Sequence, residues 1–335
     1  MNKTQTESNI RKVALTSLSG TSIEWYDFFL YGAAAGLVFP KLFFGEVDPT
    51  TALILSFMTF AAGFIARPVG GIIFGHFGDL IGRKKTLVIA LMLMGIASTL
   101  IGLLPTYETI GIAAPILLTF LRFCQGIAIG GQWGGAMLLV TESAPSNRRG
   151  YYGAYAQAGA PVGVILANIA FISVSLMTTE ESFLSWGWRI PFLISFVLVI
   201  ISMYIQLKLE DTKAFKELEA IKASDTSSTK EIKSSPILEA LRRYPKRISL
   251  AAGAFLSIQV TFYILVAFVL AYGVETTELS RNDLLTAVLI GSAIMVPMQF
   301  MFSDYSDKNG RKGIFMLGAI SVSYTHLTLP TILLV

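Results

Sequence analysis

Apolar runs of roughly twenty residues alternate with short polar turns along almost the whole chain. Built as a helix rising about 1.5 Å per residue, such a run crosses a hydrocarbon core about 30 Å thick. No water is available at that depth to satisfy backbone groups, so each run is predicted to be a helix. The pattern predicts spans over residues 18–40, 52–74, 86–104, 115–140, 151–176, 190–207, 250–272 and 284–301, with a ninth beginning near Gly313. The predicted fold class is therefore all-α, a polytopic membrane protein.

One polar stretch interrupts the apolar pattern twice. Gly75-His76-Phe77-Gly78-Asp79-Leu80-Ile81-Gly82-Arg83-Lys84-Lys85 separates the second and third spans. A weaker copy, Ser303-Asp304-Tyr305-Ser306-Asp307-Lys308-Asn309-Gly310-Arg311-Lys312, follows the eighth. Aligning Asp79 with Asp307 also aligns Gly82 with Gly310, Arg83 with Arg311 and Lys84 with Lys312. A hinge repeated between hydrophobic runs points to two related halves.

Composition agrees with a membrane location. The 335 residues are 53% hydrophobic and 14% charged, against about 25% charged in soluble domains. The net charge of +4 is no sign of nucleic-acid binding, because the basic residues cluster at span ends rather than on one face. Lys3, Arg11, Lys12, Arg83, Lys84, Lys85, Arg148, Arg149, Lys308, Arg311 and Lys312 all fall on one side. The opposite side holds Lys41, Arg189 and Arg281 among acids such as Glu46, Asp48, Glu180 and Glu278. The positive-inside rule then places the amino terminus and both hinges in the cytoplasm. The amino-terminal stretch does not read as a cleavable signal peptide, since the first apolar run is too long for one. Cys124 is the single cysteine, so no disulfide forms within the chain.

The expected organisation is a six-helix bundle over 1–208, a solvated cytoplasmic linker over 209–247 and a partial second bundle over 248–321. Residues 323–331 are polar and threonine-rich at mid-membrane depth. The native sequence is therefore expected to stop near Ser321, leaving 322–335 as a run-on tail.

Charged groups within the spans carry the candidate chemistry. Each costs about 2.5–3.5 kcal/mol at the centre of a bilayer, even on the lenient insertion scale. Glu24 and Asp27 lie in the first span, Arg67 in the second and Arg122 in the fourth. Spaced three apart, Glu24 and Asp27 share a helix face. Asp27 lies about 15 Å into its span and Arg67 at a similar depth. Opposite charges at comparable depth can neutralise each other across a bundle interior. Desolvation favours the protonated form of such a carboxylate and a nearby arginine the ionised form. A conformational change that separates the two would let Asp27 take up a proton. The alternative is a permanent salt bridge that only ties helices together. Arg67 and Arg122 also suit a substrate carboxylate, which a guanidinium binds bidentately. Tyr26, Trp25, Gln125 and Trp133 are candidates to line the cavity, with plain helix packing as the alternative for the aromatics.

Other residues are expected to act at the cytoplasmic gate. Asp79 can accept from the backbone at the start of a neighbouring helix, and Arg83 can pair with Glu142. Asp307, Gly310 and Arg311 repeat the pattern. Gly70-Gly71 with Gly75, Gly130-Gly131 with Gly134-Gly135, and Gly159 with Gly163 permit close helix approach. No glycine-lysine-serine/threonine loop for ATP and no histidine-cysteine cluster for a metal occurs, so no cofactor is implied.

Six spans, a long linker and further spans with the same hinge resemble the major facilitator superfamily. The hinge matches its loop signature of glycine, aspartate, glycine, arginine and a basic residue; the second copy departs with Ser303 in place of the first glycine. Glu24-Trp25-Tyr26-Asp27-Phe28, Ala66-Arg67-Pro68-Val69-Gly70-Gly71, Arg122-Phe123-Cys124-Gln125-Gly126 and Gly130-Gly131-Gln132-Trp133-Gly134-Gly135-Ala136 look like the metabolite:proton symporter family. Gln132 stands where that pattern more usually has a glutamate, which removes one candidate proton carrier. The resemblance implies a major facilitator fold with inverted repeats, here with its second half truncated. It also implies a bacterial inner membrane location and proton-coupled symport of a small polar metabolite, with no obligate protein partner. Related sugar:proton carriers set a span 1 aspartate against a span 4 arginine, which resembles Asp27 and Arg122. A carboxylate such as shikimate or a di- or tricarboxylate is the first expectation. The alternatives are a proline/betaine osmolyte:proton symporter, or a fragment without transport activity.

Overall fold

The structure, a computed structural model, describes residues 3–81, 83–207 and 242–332. The described residues form helices and turns, with no strand among them. The long helices are α1 (Lys3–Leu37), α2 (Pro49–Ile81), α3 (Arg83–Leu103), α4 (Ala113–Ser143), α5 (Arg149–Met177) and α6 (Arg189–Leu207). After the linker, α7 starts as Pro245–Tyr263, passes through a π-helical turn at Ile264–Phe268 and ends as Val269–Thr276. It is followed by α8 (Arg281–Asn309) and α9 (Arg311–Ile332). Gly82 and linker residues 208–241 lie outside the described residues.

Every predicted span has its helix, but the helices outrun the apolar runs. α1 begins at Lys3, well before Leu18, and α2 continues through the first hinge to Ile81. Hydropathy marks where a helix leaves lipid, and the backbone can stay helical in water beyond that point. The chain breaks where local chemistry demands it. Asp48 accepts from the Thr51 amide at 3.0 Å ahead of α2, and the Thr51 hydroxyl and amide hold the Asp48 carboxyl below its usual range. Ser280 and Asp283 form a capping box at the start of α8. Gly310 ends α8 at φ 86°, a left-handed conformation that favours glycine.

Five described helices are long and apolar enough to cross a membrane: Pro49–Phe77, Ala113–Gly131, Ser146–Met177, Pro245–Val274 and Arg281–Asn309. A sixth is added if Glu180–Gly187 and Arg189–Tyr204, bent by 44°, count as one span. α3 contributes only the shorter apolar stretch Val88–Leu103. α1 has the length without the hydropathy, because Glu24 and Asp27 sit mid-helix among Gly, Ser and Thr. Its place explains this: every residue from 20 to 35 is buried. α1 packs against α2, α4, α5, α6 and α7, so it faces protein rather than lipid. By contrast, Ile54, Met58, Ile65 and Ile72 point outward from α2. That apolar outer stripe is the arrangement a bilayer requires.

Glycines set the closest approaches. A methyl added to Gly126 would stand 2.2 Å from the Gly63 carbonyl oxygen, and one on Gly130 would stand 2.1 Å from that of Arg67. One on Gly70 would meet the Ile127 carbonyl at 2.0 Å. α2 and α4 therefore touch backbone to backbone. α1 and α5 meet similarly, with Gly159 against Thr21 and Gly163 against Trp25. Gly75 differs from the expectation: nothing lies within 4 Å of its added methyl, so it faces open space and packs no helix.

Candidate functional site

Four helices bring polar side chains together in the interior. Asp27 on α1, Arg122 and Gln125 on α4, Ser98 on α3 and Ser195 on α6 are all buried, with Arg122 0% exposed. Arg122 Nη1 donates to Gln125 Oε1 at 3.0 Å, and Gln125 Nε2 donates to Ser98 Oγ at 2.7 Å. Since Ser98 Oγ accepts there, its own hydrogen is free to point elsewhere. The Ser98 and Ser195 hydroxyls flank the Asp27 carboxylate. Neither Asp27 oxygen has hydrogen-bond geometry to a partner among the described residues.

The expected direct pairing of Asp27 with Arg122 is not formed. Aromatic faces hold the guanidinium instead: it lies 4.3 Å from the Phe28 ring centre, 4.4 Å from Tyr31 and 4.6 Å from Phe60. Gly63 leaves it that room, because a methyl there would approach Arg122 Nε to 2.7 Å. Arg122 thus acts on Asp27 through space, and the Gln125–Ser98 chain links the arginine to a serine beside that acid. Glu24 is buried one helical turn away on α1.

Arg67 joins the same aromatic cluster. Its guanidinium is 4.4 Å from the Phe28 ring centre, 4.8 Å from Phe64 and 5.6 Å from Trp25. Nε and Nη2 of both Arg67 and Arg122 are buried without a hydrogen-bond partner among the described residues. Tyr26 lines no open space: its side chain is buried and its hydroxyl donates to the Pro191 carbonyl at 2.7 Å, tying α1 to α6. Trp25 stacks on Phe29 at 5.3 Å. The side chains of Gln132 and Trp133 lie outside those described. An open apolar groove of about 740 Å³, lined by Phe43, Glu46, Tyr107, Ile116 and Phe120 among others, holds none of the interior charges.

A second set of charges lies at the hinge end. Asp307 on α8 accepts from the Gly150 amide at 2.9 Å and the Tyr151 amide at 2.8 Å. These are free N–H groups in the first turn of α5, so α8 caps α5 from outside. Gly150 permits it, since a methyl there would stand 2.6 Å from Asp307 Oδ1. Around this cap, Arg148 lies 3.6 Å from Asp304 and Arg311 3.9 Å from Asp307. Tyr155 meets Phe300 edge to face at 4.8 Å. At the far end of the same helix pair, Arg281 is bonded to Glu180 and sits 4.4 Å from the Phe183 ring centre. The side chains of Asp79, Arg83 and Glu142, like Gly82 itself, lie outside those described.

Sequence reasoning missed Ser98, Ser195, Arg148, Asp304 and Tyr263. Serines are common in membrane helices and carry little signal. Tyr263 had one, as the last of the polar positions Ser257, Gln259, Thr261 and Tyr263 in an otherwise apolar run.

The sequence profile of the Major Facilitator Superfamily matches residues 17–334. The chain belongs to the Major Facilitator Superfamily. Within it, the chain is 43% identical over 300 residues to the inner membrane metabolite transport protein YhjE of Escherichia coli, covering 88% of this chain and 66% of that one. It is 42% identical to the shikimate transporter of Escherichia coli, with coverage of 93% and 70%. It is 34% identical to the proline/betaine transporter of Escherichia coli, with coverage of 98% and 65%. The chain thus spans about two thirds of these relatives. The D-xylose-proton symporter superposes with a TM-score of 0.62 at 18% identity, over 86% of this chain and 67% of that one. The partially occluded, inward-open xylose transporter XylE of Escherichia coli gives 0.66 at 17% identity, over 91% and 74%. These likenesses establish a shared fold.

Proposed function

We propose that the protein is a secondary transporter of the bacterial inner membrane that carries a small carboxylate together with a proton by alternating access. The observation that carries this reading is the buried pairing of unsatisfied donors with an unsatisfied acid. Arg67 and Arg122 hold free N–H groups in the interior, and Asp27 holds a carboxylate with no hydrogen-bond partner among the described residues. Ionisable groups kept at such depth are expensive unless used. The arginines suit the substrate carboxylate and Asp27 suits the proton, with Glu24 as a second acid on the same helix. The named transport of shikimate by a relative 42% identical over 323 residues supports the substrate class. The proline/betaine relative is more distant, at 34%.

The hinge-end contacts supply a latch in this reading. Asp307 bound to the start of α5 holds that end shut, and its release opens it. The excess of Lys and Arg at this end supports a cytoplasmic position for it and for the amino terminus. Uptake of radiolabelled shikimate into proteoliposomes, with and without an imposed pH gradient, tests the proposal. Uptake that ignores the gradient would exclude proton coupling. Saturable uptake of labelled glycine betaine, with none of labelled shikimate, would favour the osmolyte alternative.

A further inference from the structure

We infer that Tyr263 is the residue through which the second bundle grips the substrate, its hydroxyl completing a carboxylate seat begun by Arg67 and Arg122. This rests on the carboxylate reading above and names a residue that reading does not use. Tyr263 sits on α7, yet its ring is wedged into the aromatic cluster of the first bundle. It stands 4.9 Å from Phe64 at 90°, 5.8 Å from Phe28 and 6.4 Å from Phe60. Those same three rings carry the Arg67 and Arg122 guanidiniums. The Tyr263 hydroxyl lies in the field of both arginines. It is buried and has no hydrogen-bond partner among the described residues.

Four buried guanidinium nitrogens, Nε and Nη2 of Arg67 and of Arg122, and the Tyr263 hydroxyl packed on the same rings therefore lack a hydrogen-bond partner among the described residues. The phenylalanine rings cover guanidinium faces but offer no lone pair to the N–H edges. Arginine cannot shed its charge to relieve the cost. A carboxylate offers about four lone-pair sites on two oxygens, enough for one bidentate fork and a hydroxyl. Phe28, Phe60 and Phe64 would give an acid held by these donors apolar walls.

The place of Tyr263 on its helix adds a mechanical reason. It is the last residue before the π-helical turn Ile264–Phe268. Such turns interrupt regular helix hydrogen bonding and occur often at functional sites. Just beyond the turn α7 lies close against α1, where a methyl on Gly36 would approach Ala271 Cβ to 3.2 Å. Substrate held by the arginines and by Tyr263 would draw α7 onto the first bundle.

The test is equilibrium binding by the purified full chain in lipid nanodiscs, read by calorimetry with shikimate, succinate and methyl shikimate as probes. The parent is expected to bind at least one of the acids and not the ester. Tyr263→Phe keeps the ring and its packing, so its unliganded melting temperature should match the parent. Its affinity for the bound acid should fall roughly tenfold or more, as for loss of a hydrogen bond to a charged group. Tyr263→His keeps a ring-borne donor and should bind more tightly than Tyr263→Phe, a comparison that holds even if both lower the melting temperature. Unchanged affinity in Tyr263→Phe, or equal affinity in the two variants, overturns the inference. If Arg67→Gln still abolishes binding in that case, the carboxylate reading survives alone. If the parent binds neither acid, or Arg67→Gln binds as the parent does, both fall.

Discussion

The interior cluster and the hinge-end latch both hold acids and arginines, but they treat them oppositely. At the latch every Asp307 oxygen is used: Oδ1 by the Gly150 amide and Oδ2 by the Tyr151 amide. In the interior, Asp27 is only 1% exposed and both its oxygens lack such bonds among the described residues. Arg122 makes one hydrogen bond there, to Gln125, and otherwise rests on ring faces. A satisfied cluster holds two helices in one arrangement. An unsatisfied one has spare capacity for a ligand or a proton, and its free energy falls when either arrives. The difference is in keeping with the proposed fastening at one end of the molecule and the proposed binding in its middle.

The strongest break to that contrast is Asp27→Asn. If the interior acid carries the proton, gradient-driven uptake falls to background while exchange of substrate without net proton movement persists; paired uptake and counterflow assays check this. Next is Arg122→Gln against Arg122→Lys. The lysine retains charge but lacks the planar fork, so both variants should weaken carboxylate binding, the glutamine by roughly a hundredfold and the lysine by less. Titration calorimetry separates them.

At the latch the expected effects are smaller. Asp307→Asn swaps one acceptor oxygen for a donor facing a backbone N–H. It should cost the closed state about 1.5–3 kcal/mol. Faster labelling of a cysteine introduced at the hinge end would report the shift toward open. Gly126→Ala tests the α2–α4 contact independently, and a drop of about 1–3 kcal/mol in stability is expected from forced separation of the helices. Least affected should be Arg148→Gln. That pair with Asp304 spans 3.6 Å with Arg148 side chain 47% exposed. About a twofold change in labelling at low salt, vanishing at high salt, is the most an exposed pair should give.

Much of this was legible from single positions. Asp27, Arg67 and Arg122 stood out because a charge in an apolar run has few reasons to be there. Gly70, Gly130, Gly159 and Gly163 announced close helix contacts by their size, whereas Gly126 did not stand out. The acceptor role at a helix start was expected of Asp79, whose side chain lies outside those described; its repeat counterpart Asp307 makes such a contact with the start of α5. The partners of Asp27 were not foreseen. An aspartate and an arginine at similar depth invite a direct pair, but Phe28 beside Asp27 and the gap at Gly63 draw the guanidinium onto rings instead. Tyr26 showed the converse, a polar tip in a promising motif spent on the Pro191 carbonyl.

Run length and polarity along the chain determined that this protein is helical, where its helices cross lipid and which side chains have to be sheltered from it. These follow from backbone hydrogen bonding and desolvation, which act residue by residue. Which sheltered groups meet was decided only by the packed bundle. Rotating a helix about its axis leaves the sequence pattern nearly unchanged but exchanges every neighbour across the interface. Contacts between positions as distant as Asp307 and Gly150, or Tyr263 and Phe64, exist only once the helices have docked.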